Sequence, residues 1–211
     1  MIKPILFSTP MVRAILDGRK TMTRRVVKVE KPDEWQDFND CRNECGSANV
    51  PCYLARLKAT EAIGVMYPKY DVGDVLWVRE TWMPAEHGYI YKNAEPYLVG
   101  KPKWHPSIFM PYAAARIFLR VTDVRVERVQ DITNNDAIKE GCAGAECDCL
   151  RIGRSWMGCE SCMNTGWQEP PVVEFMQLWD DLNAKRGYGW NSNPYVWVIS
   201  FERCEKPQDD N

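Results

Sequence analysis

Eight residues near the N-terminus, Gly18-Arg19-Lys20-Thr21-Met22-Thr23-Arg24-Arg25, constrain the fold more than any other stretch of this chain. They have to end a helix, turn a corner and open a strand, while setting cations beside hydroxyls. Upstream, Thr9-Pro10 supplies an N-cap followed by proline at the first helical position, and Met11, Val12, Ile15 and Leu16 recur at helical spacing. The spacing predicts a helix over Pro10–Asp17 that stops at Gly18. From Thr21 to Val29 the chain turns to β-favouring Thr and Val. Alternate side chains of a strand share a face, so Thr21, Thr23 and Arg25 are expected to point together, with Lys20 at the corner. Such a stretch suits a site that handles a polar or anionic ligand.

The remaining elements follow from similar signals. Ile5-Leu6-Phe7 is fit for a first buried strand, and Tyr70-Asp71-Val72-Gly73-Asp74 reads as a turn that delivers a strand over Val75–Arg79, with Glu80, Thr81 and Trp82 continuing it. Arg116–Val121 and Val124–Val129 are β-like runs broken at Thr122-Asp123, which indicates a hairpin or a bent strand. Thr133 and Asp136 resemble a capping box, with Asp in the place of the usual Glu, opening a short helix Asn134–Glu140 that Gly141 stops. A carboxylate at Glu140 faces the negative end of the helix dipole, a poor choice for stability and a reasonable one for an acid/base group. Pro170-Pro171 starts a helix over Val172–Arg186 whose apolar side, Val172, Phe175, Met176, Trp179 and Leu182, is expected to pack in the core. Tyr195–Phe201 is a nearly all-apolar closing strand, and the residues from Glu205 on are expected to be disordered.

The order of a helix, then Gly-Arg-Lys-Thr-x-Thr-x-Arg, then Gly73-Asp74-Val75-Leu76-Trp77-Val78 at the head of a later strand resembles the ASCH domain family. That resemblance implies an α+β fold, a PUA-like β-barrel with flanking helices. In motif the chain is similar to the bacterial N4-acetylcytidine amidohydrolases, which use a Lys, a Thr three residues on and a Glu on a later helix. The resemblance carries these roles to Lys20, Thr23 and, through Ala137-x-x-Glu140, Glu140. It covers mainly residues 3–29, 71–82, 115–141 and 195–203. Residues 1–204 then form one domain, with insertions at 31–70, 83–110 and 142–170 that depart from compact family members, and 205–211 as a tail. Within such a barrel Arg79, Glu80 and Trp82 would lie near the cleft, although an ion-paired rim explains them equally well.

Composition bounds the reading without deciding it. With 211 residues and 45% hydrophobic content the chain can bury one sizeable core, and a net charge of -2 offers no global basic field for nucleic acid. No apolar run approaches the roughly eighteen residues of a membrane span, and no signal-peptide pattern opens the chain, so a cytoplasmic protein is expected. Nine cysteines in a reducing compartment suit metal or burial better than disulfides. Cys147-x-Cys149-x9-Cys159-x2-Cys162 supplies two close thiol pairs, the pattern of a closed structural zinc (Zn2+) site. A metal-free thiol-rich loop and an iron–sulfur cluster remain open beside it. Such a site could present Arg151, Arg154, Trp156 and Trp167 to a partner. Cys41, Cys45 and Cys52 give a plausible trio that needs a fourth ligand, Cys142 or Cys204, or else are small buried thiols. His87 and His105 stand at no metal-ligand spacing.

Two functions fit. As an enzyme, by resemblance, Thr23 would be the nucleophile, Lys20 its activating base with a pKa lowered by Arg19, Arg24 and Arg25, and Glu140 the proton donor and acceptor for the leaving amine. The substrate would be a modified nucleobase or nucleoside, gripped by Arg19, Arg24, Arg25, Arg79 and Trp82. As a binding module or nuclease, the same arginines, with the aromatics and cations interleaved at Tyr89–Lys92 and Lys101–Pro106, would hold single-stranded RNA or DNA.

Overall fold

A computed structural model describes residues 1–28, 35–40, 53–57, 63–94, 102–147, 159, 162 and 165–208. The first half holds β1 (Ile2–Leu6), α1 (Thr9–Leu16), β2 (Met22–Val26), β3 (Trp35–Asp40), β4 (Tyr53–Leu57) and β5 (Ile63–Met66). Then follow β6 (Val75–Arg79), β7 (Trp82–Ala85), β8 (Gly88–Tyr91) and β9 (Phe118–Arg128). The remainder is α2 (Asn134–Lys139), β10 (Ala145–Glu146), β11 (Trp167–Glu169), α3 (Pro171–Asn183) and β12 (Tyr195–Cys204).

The main sheet runs β1-β6-β9-β12-β2, parallel between β1 and β6 and antiparallel elsewhere. This is an α+β chain, but the expected closed barrel is not formed among the described residues. β1 and β2 remain edge strands, and side chains join them where a backbone ladder would. Arg25 Nη2 on β2 donates to the Leu6 carbonyl of β1 at 2.8 Å, and its guanidinium lies 5.3 Å from the Phe7 ring. The entry to β2 is tied instead to α2, where the Thr21 N–H donates to the Lys139 carbonyl at 2.9 Å.

Three further sequence expectations are sharpened. Of the hairpin and the bent strand expected at Thr122-Asp123, the bent strand forms: β9 runs through, with Asp123 opposite Ser200 and Val121 opposite Phe201. Thr122 is therefore the extra residue of a bulge, which bends a strand without ending it. The stretch 83–110, expected as an insertion, contains the β7–β8 hairpin, whose two-residue turn ends at Gly88 with φ +116°, a conformation that suits glycine. The stretch 31–70, likewise expected as an insertion, contains the antiparallel sheet β3-β4-β5. Cys41, Cys45 and Cys52 lie outside the described residues, as do Arg151, Arg154 and Trp156.

Alternation along β12 builds a core on each face. Trp197, Ile199 and Phe201 join Ile5, Leu76, Val78, Leu119 and Val121 and the inner side of α1, Val12 and Ile15. Val196 and Val198 join Met22, Ala137, Phe175 and Trp179 on the side of α2 and α3. Each fully buried Leu, Ile or Val contributes about 1.5–3 kcal/mol, so the sheet is fixed between these layers. β2 alternates in the same way: Met22 and Val26 pack on the helix side, and Thr23 lies opposite Ile199. No helix among the described residues is long and apolar enough to cross a membrane.

Candidate active site

The corner between α1 and β2 is fastened to the end of α2. Gly18, at φ +75°, ends α1, and the next bonds run from the Lys20 N–H to the Ala14 carbonyl and from the Thr21 N–H to Lys139, each 2.9 Å. This aims the Lys20 side chain at the C-cap of α2, which is Glu140. Lys20 Nζ donates to the Glu140 carbonyl at 2.7 Å and to Glu140 Oε2 at 2.6 Å, and its side chain is fully shielded from solvent. The ammonium thus meets both the negative end of a helix and a carboxylate. Gly141 follows with φ +99°, and a Cβ there would stand 3.1 Å from the Ala14 Cβ, so α1 and α2 touch beside the pair.

The other Glu140 oxygen belongs to Arg24. Arg24 Nη1 lies 3.3 Å from Glu140 Oε1, Nη2 lies 3.3 Å from Asp136 Oδ2, and Nε and Nη2 both donate to Glu127 Oε1. Arg125 closes the network on Glu127 and Asp136 at 3.1 and 3.5 Å. Because β2 is an edge strand, Glu140 can be reached at once by Lys20 from the corner and by Arg24 from the helix side.

Burial holds Lys20 below its ordinary pKa, opposed by Glu140 and assisted by Arg25. The direction agrees with the sequence reading, but desolvation is the larger cause, and of the three arginines expected to lower it only Arg25 contributes. Cys142, two residues past Glu140, is pushed up to about 12 by burial and by Glu174 and Glu140, so it remains a thiol.

Above the pair lies a cavity of about 240 Å³ lined by Thr23, Arg24, Arg25 and Glu140 from the site and by Phe175, Trp179 and Asn183 of α3. Thr23 is 2% exposed. Arg25, Val26, Lys28 and Arg186 also line a second cavity of about 620 Å³, which continues past Lys69, Tyr70, Arg79 and Trp197. Arg25, Lys28, Lys69, Arg79 and Arg186 bring five cations to that wall, and among the described residues none is in a salt bridge and no acidic residue lines it. A chain of net charge -2 therefore carries a locally basic cleft.

Thr23, Arg24, Arg25 and Glu140 line one cavity, Lys20 is joined to it through Glu140, and Arg79 lies in the adjoining cavity. Arg19 and Trp82 line neither. Arg19 is exposed, donating to Asp17 and to the Gly141 carbonyl at 2.9 and 3.3 Å. Trp82 stacks on His105, ring centroids 5.1 Å apart, and Glu80 is buried under a bidentate pair with Arg116 at 2.9 Å. Sequence reading missed Lys28, Asn183 and Arg186 as cavity residues and Glu127 as a partner of Arg24. Phe175 and Trp179 carry the i, i+4 spacing of a packed helix face, and nothing in that spacing marks a cavity wall.

Among the cysteines, Cys147, Cys159 and Cys162 have their sulfur atoms within 4.8 Å of one another, whereas Cys149 lies outside the described residues.

No family model and no curated protein matches the sequence. The chain is similar to two solved structures. One is an ASCH domain from Lactobacillus crispatus, at 9% identity and a TM-score of 0.38, covering 96% of this chain and 79% of that one. The other is a DUF984 protein from Enterococcus faecalis, at 10% identity and a TM-score of 0.40, covering 100% and 88%. The first bears the family name that the sequence motif brought up. At such scores neither assigns a residue or an activity, and both must rest on the cluster itself.

Proposed function

We propose that the chain is a hydrolase acting on a modified nucleobase or nucleoside, an amidohydrolase of the N4-acylcytidine type with Thr23, Lys20 and Glu140 as its catalytic set. The observation that carries this reading is a lysine with no solvent exposure, paired at 2.6 Å with a carboxylate beneath a cavity that Thr23 also lines. Burying an ion pair costs desolvation that an apolar pair of similar volume would avoid. Perturbed, buried titratable groups in a cleft mark functional sites for that reason.

In this reading the Thr23 hydroxyl attacks the acyl carbon while its proton passes to Lys20, whose amine is made available by burial. The tetrahedral adduct collapses by breaking the carbon–nitrogen bond, and the exocyclic amine leaves with a proton supplied through Glu140. Water then cleaves the threonyl ester, Glu140 taking its proton, to release the carboxylic acid and restore Thr23. One water enters; one amine and one acid leave. Arg24, engaged by Glu127, Asp136 and Glu140, positions the acid rather than gripping phosphate. At about 240 Å³ the cavity falls below the roughly 300–1,000 Å³ of drug-sized pockets and suits a single base.

The second cavity favours a further reading, an RNA- or DNA-binding module, because five cations beside Tyr70 and Trp197, none in a salt bridge among the described residues, suit a strand's phosphates and bases. One experiment weighs both: acyl release from N4-acylated cytidine, supplied as free nucleoside and within a single-stranded oligonucleotide. Release from either supports the hydrolase. No release from both, with salt-dependent binding of the single strand, supports the module instead.

A further inference from the structure

We propose that Cys147, Cys149, Cys159 and Cys162 bind one zinc ion as a closed tetrathiolate site that pins the connection between α2 and α3. Cys147 and Cys159 Sγ are 3.8 Å apart. A disulfide would bring them to about 2.05 Å. Tetrahedral zinc with Zn–S bonds of about 2.3 Å sets its sulfurs about 3.8 Å apart, the edge of that tetrahedron. Two neutral thiols in contact would account for one such pair, but here three converge, with Cys147 and Cys162 buried and Cys159 half-buried. Cys149, two residues from Cys147, is the fourth thiol by spacing alone.

The backbone around these thiols is held in place. The Cys147 N–H donates to the Gly166 carbonyl at 3.0 Å, and the Cys162 carbonyl accepts from the Thr165 N–H at 2.9 Å and from its hydroxyl at 2.6 Å. The β10–β11 ladder beside them pairs two residues with three, too little to stand alone. A metal whose binding energy is also folding energy supplies what this hairpin lacks, and four thiolates leave no open position for catalysis.

The placement of the hairpin gives the metal a consequence. At its base Glu174 of α3 accepts from the Ala143 and Gly144 N–H groups at 2.8 and 3.0 Å. A Cβ on Gly144 would come within 2.7 Å of the Glu169 carbonyl and 2.8 Å of Pro171, so the strands and the start of α3 touch without a side chain between them. The connection leaves Glu140 at one end and delivers Phe175 at the other, and both line the smaller cavity. A metal that fixes the hairpin therefore fixes the separation of an acid and a wall of the cleft.

Protein purified without chelator is expected to carry about one equivalent of zinc per chain. The Cys159→Ser, Cys162→Ser double variant should lose it, and Cys204→Ser, outside the cluster, should keep it. Because the double variant could fail to fold, the wild-type protein gives a second measurement. Cobalt exchanged for zinc should show the intense visible bands and thiolate charge transfer of a four-sulfur tetrahedral site. Chelation should release four thiols to alkylation and lower the melting temperature. Zinc well below one equivalent, iron in its place, metal retained by the double variant, or cobalt spectra of fewer than four sulfurs would overturn the proposal.

Discussion

Lys20 shows how one side chain can serve two structural demands and remain available for chemistry. Replacing it by Met leaves the Glu140 carboxylate to Arg24 alone and strips the end of α2 of its cation, so Lys20→Met should cost about 3 kcal/mol, read from urea unfolding. Because burial sets its folded pKa below the unfolded one, the unfolded chain binds more protons between the two values. Stability should therefore rise with pH across that window, and Lys20→Met should flatten the slope. Asp74 also has its folded pKa lowered, but because its charged form is favoured rather than disfavoured. Burial pushes its carboxyl up, but hydrogen bonds from Lys3 at 2.7 Å and the Asp71 N–H at 2.8 Å outweigh this and hold it below the usual carboxylate range. Its stabilisation is present above the unfolded carboxylate's pKa and is lost as pH falls through the lower, folded value. Asp74→Asn should thus melt lower than wild type at neutral pH, by about 1.5–3 kcal/mol of stability, and converge with it in acid.

At the scale of elements, the meeting of α1 and α2 at Gly141 decides whether the site forms. Gly141→Ala adds a Cβ 3.1 Å from Ala14 at a φ of +99°, a strain of about 1–3 kcal/mol, and should lower both thermal stability and any turnover, whereas an exposed Gly73→Ala should lower stability alone. Much of this layer is legible in the residues. The strand expected over Val75–Arg79 has those bounds, and the helix expected over Pro10–Asp17 spans Thr9–Leu16, because proline, glycine and spacing act locally. Thr133 caps α2 through the Asp136 N–H at 3.1 Å, as its sequence position implies. The helix expected over Val172–Arg186 ends at Asn183 and tightens into a 3-10 turn over Ala184–Arg186 before Gly187. The bulge at Thr122 is not legible, since a bulge depends on the partner strand, and neither is the open edge between β1 and β2.

For the whole molecule, the lesson is how far local pattern reaches toward a site. Lys20, Thr23 and Glu140 can be singled out through the family resemblance, with the helix-end position of Glu140 a weaker local mark, yet their neighbours Glu127 and Arg186 carry no such mark and meet the site only through the fold. The basic cleft is hidden for the same reason, its cations being spread from Arg25 to Arg186 in a chain with slight net negative charge. Arg25→Ala combined with Lys69→Ala should weaken binding of a single-stranded oligonucleotide and reduce the slope of log affinity against log salt by about 0.7 for each phosphate that is no longer neutralised. The account as a whole turns on Thr23. Its replacement by nearly isosteric Val removes a nucleophile while costing binding only about 0.5–1.5 kcal/mol. The direct measurement is acyl release from an N4-acylated cytidine by wild type and Thr23→Val at matched folding. The account predicts turnover by wild type and a loss of several orders of magnitude in kcat with little change in affinity for the variant; wild-type protein that releases nothing, or a variant that turns over as wild type does, would contradict it.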